Sequence, residues 1–199
     1  MEGFTYKTIT KTGKGEFLDR GSRFIGYAFE VSSRALFKER YQAIVDLHPK
    51  ASHYCFAFRL GEDGADWRCS DNGEPSGTAG RPILGQLDSV ELVNTAVVVV
   101  RYFGGTLLGV PGLIQAYRSA ASLAIQHAVT QEKSKLKRIQ LEFDYTIQHD
   151  IYKWVKQYSL LIEKMEEGLF CQLQVGVPLA QWEEVKKQFS ALSGLTMRE

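Results

Sequence analysis

Residues 97–117, VVVVRYFGGTLLGVPGLIQAY, pass from an apolar run through a glycine-rich turn into a pattern of small and apolar residues. The four valines and Ala96 before them predict a strand covered on both faces, because β-branched runs this apolar suit a fully buried strand. Pro111 fits the first turn of a helix, where its missing N–H is not needed. A strand, a turn and a helix N-terminus together make a possible anion site.

Length and composition favour an ordinary globular protein. The chain has 199 residues, enough for one large domain or two small ones, and 44% of them are hydrophobic. The formal net charge is +1. There is therefore no overall electrostatic case for nucleic-acid binding, and any such binding needs a local basic patch.

The cysteines and the N-terminus bear on the compartment. The three cysteines, Cys55, Cys69 and Cys171, lack the spacing of a disulfide framework or a zinc site. No apolar core of a signal peptide opens the sequence, and no apolar run approaches the roughly 20 residues of a membrane helix. We expect a cytoplasmic protein with no membrane partner, no bound metal and no cofactor.

The first two thirds of the chain alternate between strand and helix patterns. Residues 4–31 predict a three-stranded antiparallel meander. Residues 34–47 predict a helix capped by Ser33. Residues 53–60 predict a strand that pairs with residues 65–69. The segment that follows, residues 70–82, is too rich in glycine, proline and aspartate for regular structure.

The last third of the chain predicts a separate unit. Residues 130–137 are polar and charged, which is typical of a linker. After them the order of patterns is β-α-β-β-α-β, the ferredoxin-like split arrangement. The expected fold class is therefore α+β, with domains at residues 1–134 and 135–199.

Two arginines beside glycine-rich backbone are candidate anion contacts. Arg81 follows the irregular loop, and Arg101 precedes the turn that holds Gly104 and Gly105. A guanidinium suits bidentate phosphate recognition, and a glycine turn allows a close backbone approach. The alternatives stay open: the arginines could form structural ion pairs with nearby carboxylates, and the glycines could only shape the turn.

Tyr102 and Phe103 lie on the same turn and could stack on nucleic-acid bases or plug the top of the core. The dinucleotide-binding glycine fingerprint, the P-loop and the nucleophile elbow are all absent. No catalytic residue is therefore assigned.

A possible polar site involves the irregular loop. Asp71 and Glu74 could act as an acid–base pair or bind Mg²⁺, although Asp-Asn-Gly and Glu-Pro are also ordinary turn sequences. The candidate polar residues are His53, Asp71, Glu74, Ser76 and Thr78.

Three separated segments resemble the IMPACT family in its short two-domain bacterial form. They are residues 50–58 (KASHYCFAF), residues 70–84 (SDNGEPSGTAGRPIL) and residues 97–117. Two departures stand out: the family usually has two aspartates where this chain has Asp71-Asn72, and often Gly-Gly where it has Pro111-Gly112.

The resemblance implies an N-terminal domain of the βαβ type found in domain IV of elongation factor G and in the RNase P protein. It implies a C-terminal domain similar to domain V of elongation factor G. Eukaryotic members regulate translation by countering a starvation-responsive kinase through an additional N-terminal domain. The sequence in hand starts directly at the shared domain, so we expect no transfer of that interaction.

Three functions remain open at this point. The first is a non-enzymatic regulator of translation that associates with RNA or the ribosome through the two glycine loops. The second is an enzyme acting on a phosphorylated small molecule held by the glycine turn. The third is a protein-interaction module that uses the C-terminal domain, which the near-neutral charge suits.

Overall fold

The computed structural model describes residues 3–199, which form two compact units. The first unit is Tyr6–Lys133, and the second is Ser134–Glu199 with residues 3–5. The elements up to residue 134 are β1 Thr5–Lys11, β2 Gly13–Asp19, β3 Ser22–Glu30, α1 Arg34–Leu47, β4 His53–Leu60, β5 Asp66–Ser70, α2 Gly80–Ser89, β6 Thr95–Tyr102, α3 Gly109–Gln126 and β7 Val129–Ser134. The remaining elements are β8 Leu136–Phe143, α4 Gln148–Gln157, β9 Leu161–Glu167, β10 Cys171–Pro178, α5 Trp182–Ser190 and β11 Leu195–Arg198.

The valine strand, β6, is the middle strand of a five-stranded antiparallel sheet with the order β2-β3-β6-β4-β5. Val97 and Val99 enter a core shared with α2 and α3. Val98 and Val100 enter a second core, on the other face, shared with α1. The prediction of a strand covered on both faces is confirmed, because alternate side chains reach opposite cores.

Helix α1 has the bounds that its sequence pattern predicts. Its N-cap is Ser33, whose hydroxyl accepts a hydrogen bond from the Leu36 amide at 3.2 Å. Phe37 and Ile44 are its buried residues, and they lie on the side that faces the sheet. Strand β4 also has the predicted bounds, so strong local patterns located both elements correctly.

The expected three-stranded meander is wrong for its first strand. Only β2 and β3 pair as a hairpin, whereas β1 pairs with β7 in a separate two-stranded sheet. Residues 130–137, expected to be a linker, instead form most of β7 and the start of β8. Alternation along a strand predicts extended backbone but carries no information about a partner more than 100 residues away.

Helix α3 lies unusually close to β2 and β3, because small residues face each other across the contact. Ala120 and Ala124 are buried on the helix. The strands oppose them with glycines: a Cβ added at Gly15 would lie 2.5 Å from the Ala124 nitrogen, and one at Gly26 would lie 2.4 Å from the Ala120 oxygen. Gly15 and Gly26 are paired in the hairpin register. The helix backbone therefore occupies the space that side chains would fill.

The second unit has the predicted order β-α-β-β-α-β. Its four strands form an antiparallel sheet with the order β11-β8-β10-β9, in which β10 lies between β8 and β9. That arrangement is the split βαβ topology. One core joins the sheet to α4 and α5, with Ile151 and Phe189 fully buried. Among residues 3–199, no helix is long and apolar enough to span a membrane.

We expect Gly26→Ala to lower the free energy of unfolding by about 1–3 kcal/mol, the range for overpacking a tight contact. The added methyl meets the backbone of α3 rather than a movable side chain. The measurement is urea denaturation followed by far-ultraviolet circular dichroism.

Gly85→Ala is the matched control for that variant. An added Cβ at Gly85, in the middle of α2, meets nothing within 4 Å. The control should stabilise the chain by about 1 kcal/mol through helix propensity. Equal effects of the two variants would contradict the close approach of α3.

Candidate functional site

A cleft opens in the first unit where β6 ends and α3 begins. Its volume is about 490 Å³. Both glycine-rich segments of the sequence contribute to it, residues 71–79 on one side and residues 103–109 on the other. Its polar residues are Ser52, His53, Glu74 and Arg101. Its apolar residues are Pro75, Phe103, Leu107, Leu108, Val110 and Leu113.

A buried ion pair forms part of the cleft wall. Arg101 Nη1 donates to Glu74 Oε1 at 2.7 Å, and the two residues are 5% and 8% exposed. The same oxygen accepts a hydrogen bond from the Tyr117 hydroxyl at 2.7 Å. Of the alternatives for Arg101, the structure shows the ion pair, with Glu74 as the partner.

The register of the sheet explains how Arg101 reaches this position. It pairs with Phe24 on β3 and with His53 on β4. The guanidinium lies 5.3 Å from the Phe24 ring centroid and 5.5 Å from that of Phe103, so apolar rings surround its charge. Its Nη2 lies 3.4 Å from the Ser22 hydroxyl. Among residues 3–199, Arg101 Nε is the single buried side-chain polar atom without a hydrogen-bond partner.

His53 is held in one orientation. Its Nδ1 lies 2.8 Å from the Asn72 carbonyl oxygen, which can only accept, so Nδ1 carries the hydrogen. In the neutral ring Nε2 is then an acceptor. Nε2 lies 3.9 Å from Glu74 Oε1, and the side chain is 25% exposed. The cleft therefore presents a histidine with a defined tautomer beside a carboxylate.

Asp71 does not act beside Glu74 as a second open carboxylate. Its oxygens accept hydrogen bonds from the backbone amides of Gly77, Ala79 and Gly80, at 2.8, 3.0 and 2.8 Å. Partial burial raises the pKa of Asp71, but the three amides together outweigh it and hold the pKa below its usual value. Asp71 thus fastens the loop to the start of α2.

Cys55 is also engaged within the protein. It is fully buried, and its Sγ donates to the Asp71 carbonyl oxygen at 2.9 Å. Burial raises the pKa of the Cys55 thiol to about 12. The side chain is therefore a neutral thiol at physiological pH, and a thiolate nucleophile is not available here.

The two aromatic residues of the turn have different environments. The Tyr102 hydroxyl lies 2.8 Å from His48 Nδ1, and the Tyr102 side chain packs against the core under α1. The Phe103 ring is 49% exposed and lines the cleft. Only Phe103 presents a ring to solvent at the cleft.

The glycines of the turn have structural requirements of their own. A Cβ added at Gly104 would lie 1.9 Å from the Gly21 carbonyl carbon, and the Gly104 amide donates to the Ser22 hydroxyl at 3.2 Å. Gly105 has φ +87°, a conformation that L side chains rarely adopt. These glycines bring the turn against the β2–β3 hairpin, which shapes the cleft whether or not it binds an anion.

The remaining predicted residues lie on or beside the loop. Arg81 is exposed in the first turn of α2 and does not line the cleft. Ser76 is exposed at the loop surface. Thr78 is buried, and its hydroxyl donates to the Pro75 carbonyl oxygen at 2.7 Å. The structure therefore brings His53, Glu74 and Arg101 together and leaves the other polar candidates outside that cluster.

A family model described as the Impact N-terminal domain matches residues 20–125, which include β3, all but the last residue of α3, the elements between them and every residue of the cleft. The chain belongs to the IMPACT family. It is 35% identical over 161 residues to the IMPACT family member YvyE of Bacillus subtilis, covering 81% of this chain and 74% of that protein. It is 33% identical over 174 residues to YigZ of Escherichia coli, covering 86% and 85%.

A solved structure supports the same fold over nearly the whole chain. A crystal structure of a hypothetical protein superposes with a TM-score of 0.79 at 29% sequence identity, and the match covers 98% of this chain and 97% of that one. The α+β fold and the family resemblance expected from the sequence are thus confirmed.

Several residues of the cleft, and of the hydrogen bonds around Arg101 and Glu74, were not identified from the sequence. In the sequence pattern, Tyr117 occupies one more apolar position of a helix, and Ser22 begins a strand. Leu107 and Val110 sit in the turn without any motif. The available signal was that Tyr117 is a large polar-tipped residue within a stripe of alanines, because such a residue needs a hydrogen-bond partner when it is buried.

We expect Glu74→Gln and Arg101→Met each to lower the free energy of unfolding by about 3–5 kcal/mol, because each leaves a buried charge without its partner. The double variant should lose at least 1 kcal/mol less than the sum, since it removes both charges, within the roughly 0.5–3 kcal/mol usual for coupled neighbours. Urea denaturation of the wild-type protein, the two single variants and the double variant gives the coupling free energy between the two side chains.

The exposed pair Glu16–Arg23 is the matched control, because its closest oxygen–nitrogen distance is 2.8 Å but both side chains face solvent. A cycle of Glu16→Gln and Arg23→Met should show little coupling. Equal coupling in the two cycles would contradict the importance of burial at Glu74 and Arg101.

We expect Asp71→Asn to lower the free energy of unfolding by about 1 kcal/mol at pH 7, in the range for a lost helix cap. Because the folded pKa of Asp71 lies below the unfolded value near 4, its contribution is complete above that value and disappears as the pH falls through the folded pKa. Denaturation of both proteins at pH 7 and pH 3 tests this. A difference that does not change with pH would rule out the charged cap.

Proposed function

We propose that this protein is an RNA-associated regulator of translation, acting through binding rather than catalysis. Membership of the IMPACT family supports a role in translation, because eukaryotic members regulate translation and the shared domain resembles domain IV of elongation factor G and the RNase P protein. The RNA would be single-stranded or a loop of ribosomal RNA, since unpaired bases are what proteins read most readily in RNA.

The observation that carries this proposal is the presence of exposed cations at the end of the sheet where the cleft opens. Three exposed cations lie at this end of the sheet: Arg20 on the turn between β2 and β3, Lys50 two residues before Ser52, and Arg81 at the start of α2. The carboxylates of Asp71 and Glu74 are used inside the protein. We infer that these three cations contact phosphates, although the net charge of the chain is only +1.

Phe103 gives this patch a second feature of RNA-binding surfaces. Its ring is half exposed and lies 5.5 Å from the Arg101 guanidinium, and an exposed aromatic face near basic side chains suits the stacking of an unpaired base. The other reactive groups favour binding over catalysis, because Cys55 is a buried thiol and Asp71 is a helix cap. We call Arg20, Lys50, Arg81 and Phe103 the rim.

The triple variant Arg20→Ala, Lys50→Ala, Arg81→Ala should bind single-stranded RNA at least tenfold more weakly at 0.1 M salt. Its plot of log affinity against log salt concentration should be less steep by about 2, since three phosphate contacts to a single strand contribute about 0.7 each. Fluorescence anisotropy with a labelled 12-nucleotide RNA measures both quantities.

A matched triple variant, Lys11→Ala, Lys38→Ala, Arg118→Ala, removes the same net charge from exposed positions outside the rim. It should retain RNA affinity within about twofold. Equal losses in the two triple variants would show that only net charge matters, and an absence of RNA binding by the wild-type protein would eliminate the proposed function.

A further inference from the structure

We propose that the cleft binds one nucleotide, a nucleoside 5′-monophosphate that is either free or an unpaired residue of an RNA strand. If the nucleotide is part of an RNA strand (the RNA form), the inference rests on the proposed function. If it is a free nucleotide (the free form), the inference is independent of the proposed function. Each chemical part of such a ligand has a matching part of the cleft.

The base fits the apolar part of the cleft. Leu107 is 82% exposed, Val110 is 52% exposed, and Phe103 stands beside them, so three large apolar side chains meet solvent at one opening. A cleft of about 490 Å³ lies within the range of small-molecule sites, and apolar walls around a few polar groups are typical of such sites. A flat aromatic ring would cover this apolar surface.

The edge of the base fits the polar residues. Both protein hydrogen bonds to the Glu74 carboxylate use Oε1, and none of those found among residues 3–199 uses Oε2. His53 offers Nε2 as an acceptor, because its Nδ1 donates to Asn72. These two acceptors match the exocyclic amino group of a base.

The phosphate fits the start of α3. This helix has 18 residues, its N-cap residue Leu108 gives no side-chain cap, and its first turn holds no acidic residue. Gly109 and Val110 at its start line the cleft. An anion there would meet free backbone amides and the positive end of the helix dipole. In α2, by contrast, the Asp71 carboxylate already fills the equivalent position.

Together these features predict a preference among nucleotides. Cytidine monophosphate has the exocyclic amino group that the two acceptors match, whereas uridine monophosphate has a carbonyl at that position. We expect about tenfold tighter binding of the cytidine form, in keeping with the energy of one specific base contact. Ribose 5-phosphate, which has no base, should bind more weakly than both.

The experiment is a titration of the full chain with cytidine monophosphate, uridine monophosphate, ribose 5-phosphate and inorganic phosphate. Isothermal titration calorimetry measures each affinity, and NMR chemical shifts of the backbone amides locate the binding site. The expected result is the order just given, with shifts at Gly109 and Val110. Equal binding of cytidine monophosphate and ribose 5-phosphate, or no binding of any nucleotide, would overturn the inference.

Val110→Glu separates ligand binding from folding. Position 110 is exposed, and a carboxylate in the first turn of α3 favours the helix while it repels a phosphate. Both variants, Val110→Glu and its control Val110→Gln, lose the apolar contact of Val110 with the base, so they should bind cytidine equally. Val110→Glu should bind cytidine monophosphate at least tenfold more weakly than Val110→Gln does. Equal affinities of the Glu and Gln variants for cytidine monophosphate would contradict the phosphate position.

The same variants distinguish the two sources of the nucleotide. If RNA binding by the wild-type protein is weakened by both Val110→Glu and an excess of cytidine monophosphate, the nucleotide in the cleft belongs to the RNA. If RNA binding depends on the rim but responds to neither, the proposed function stands and the RNA form of the inference fails. If nucleotides bind and RNA does not, the free form stands and the proposed function fails.

Discussion

The ion pair between Arg101 and Glu74 is the interaction on which the functional end of the first unit depends. It joins the end of β6 to the irregular loop, and through Tyr117 it extends to α3. Arg101 also contacts the Ser22 hydroxyl of the β2–β3 hairpin, and the same hydroxyl accepts a hydrogen bond from the Gly104 amide. Four segments far apart in sequence thus converge on one carboxylate and one guanidinium.

Such a pair contributes more to specificity than to stability. The free-energy cost of removing two charges from water is close to the free energy gained from their attraction. Any rearrangement that separates them, however, leaves an unpaired charge in an apolar environment. The loop and the turn are therefore confined to the conformation in which the cleft exists. The close packing of α3 has a part in this, because glycines in β2 and β3 let the helix approach until the Tyr117 hydroxyl reaches Glu74.

Sequence reasoning was most successful where structure is local. The bounds of α1 follow from its apolar spacing and from Ser33, and the burial of β6 on both faces follows from its valines. It failed for β1, because its partner β7 is the last strand of the unit in the sequence, although the two strands are paired in the structure. Arg101 shows the same limit: its partner is 27 residues away, and only the folded sheet decides whether a guanidinium meets a carboxylate or solvent.

The pairing of β1 with β7 has a consequence for how the chain folds as it is synthesised. β1 leaves the ribosome before the whole five-stranded sheet and α3, and β7 follows only after them. Closing a loop of this length is slow, and an unpaired strand is prone to associate with other strands while it waits. The order of the elements therefore delays the completion of the first unit until its final strand has emerged, and β1 must be kept from other partners until then.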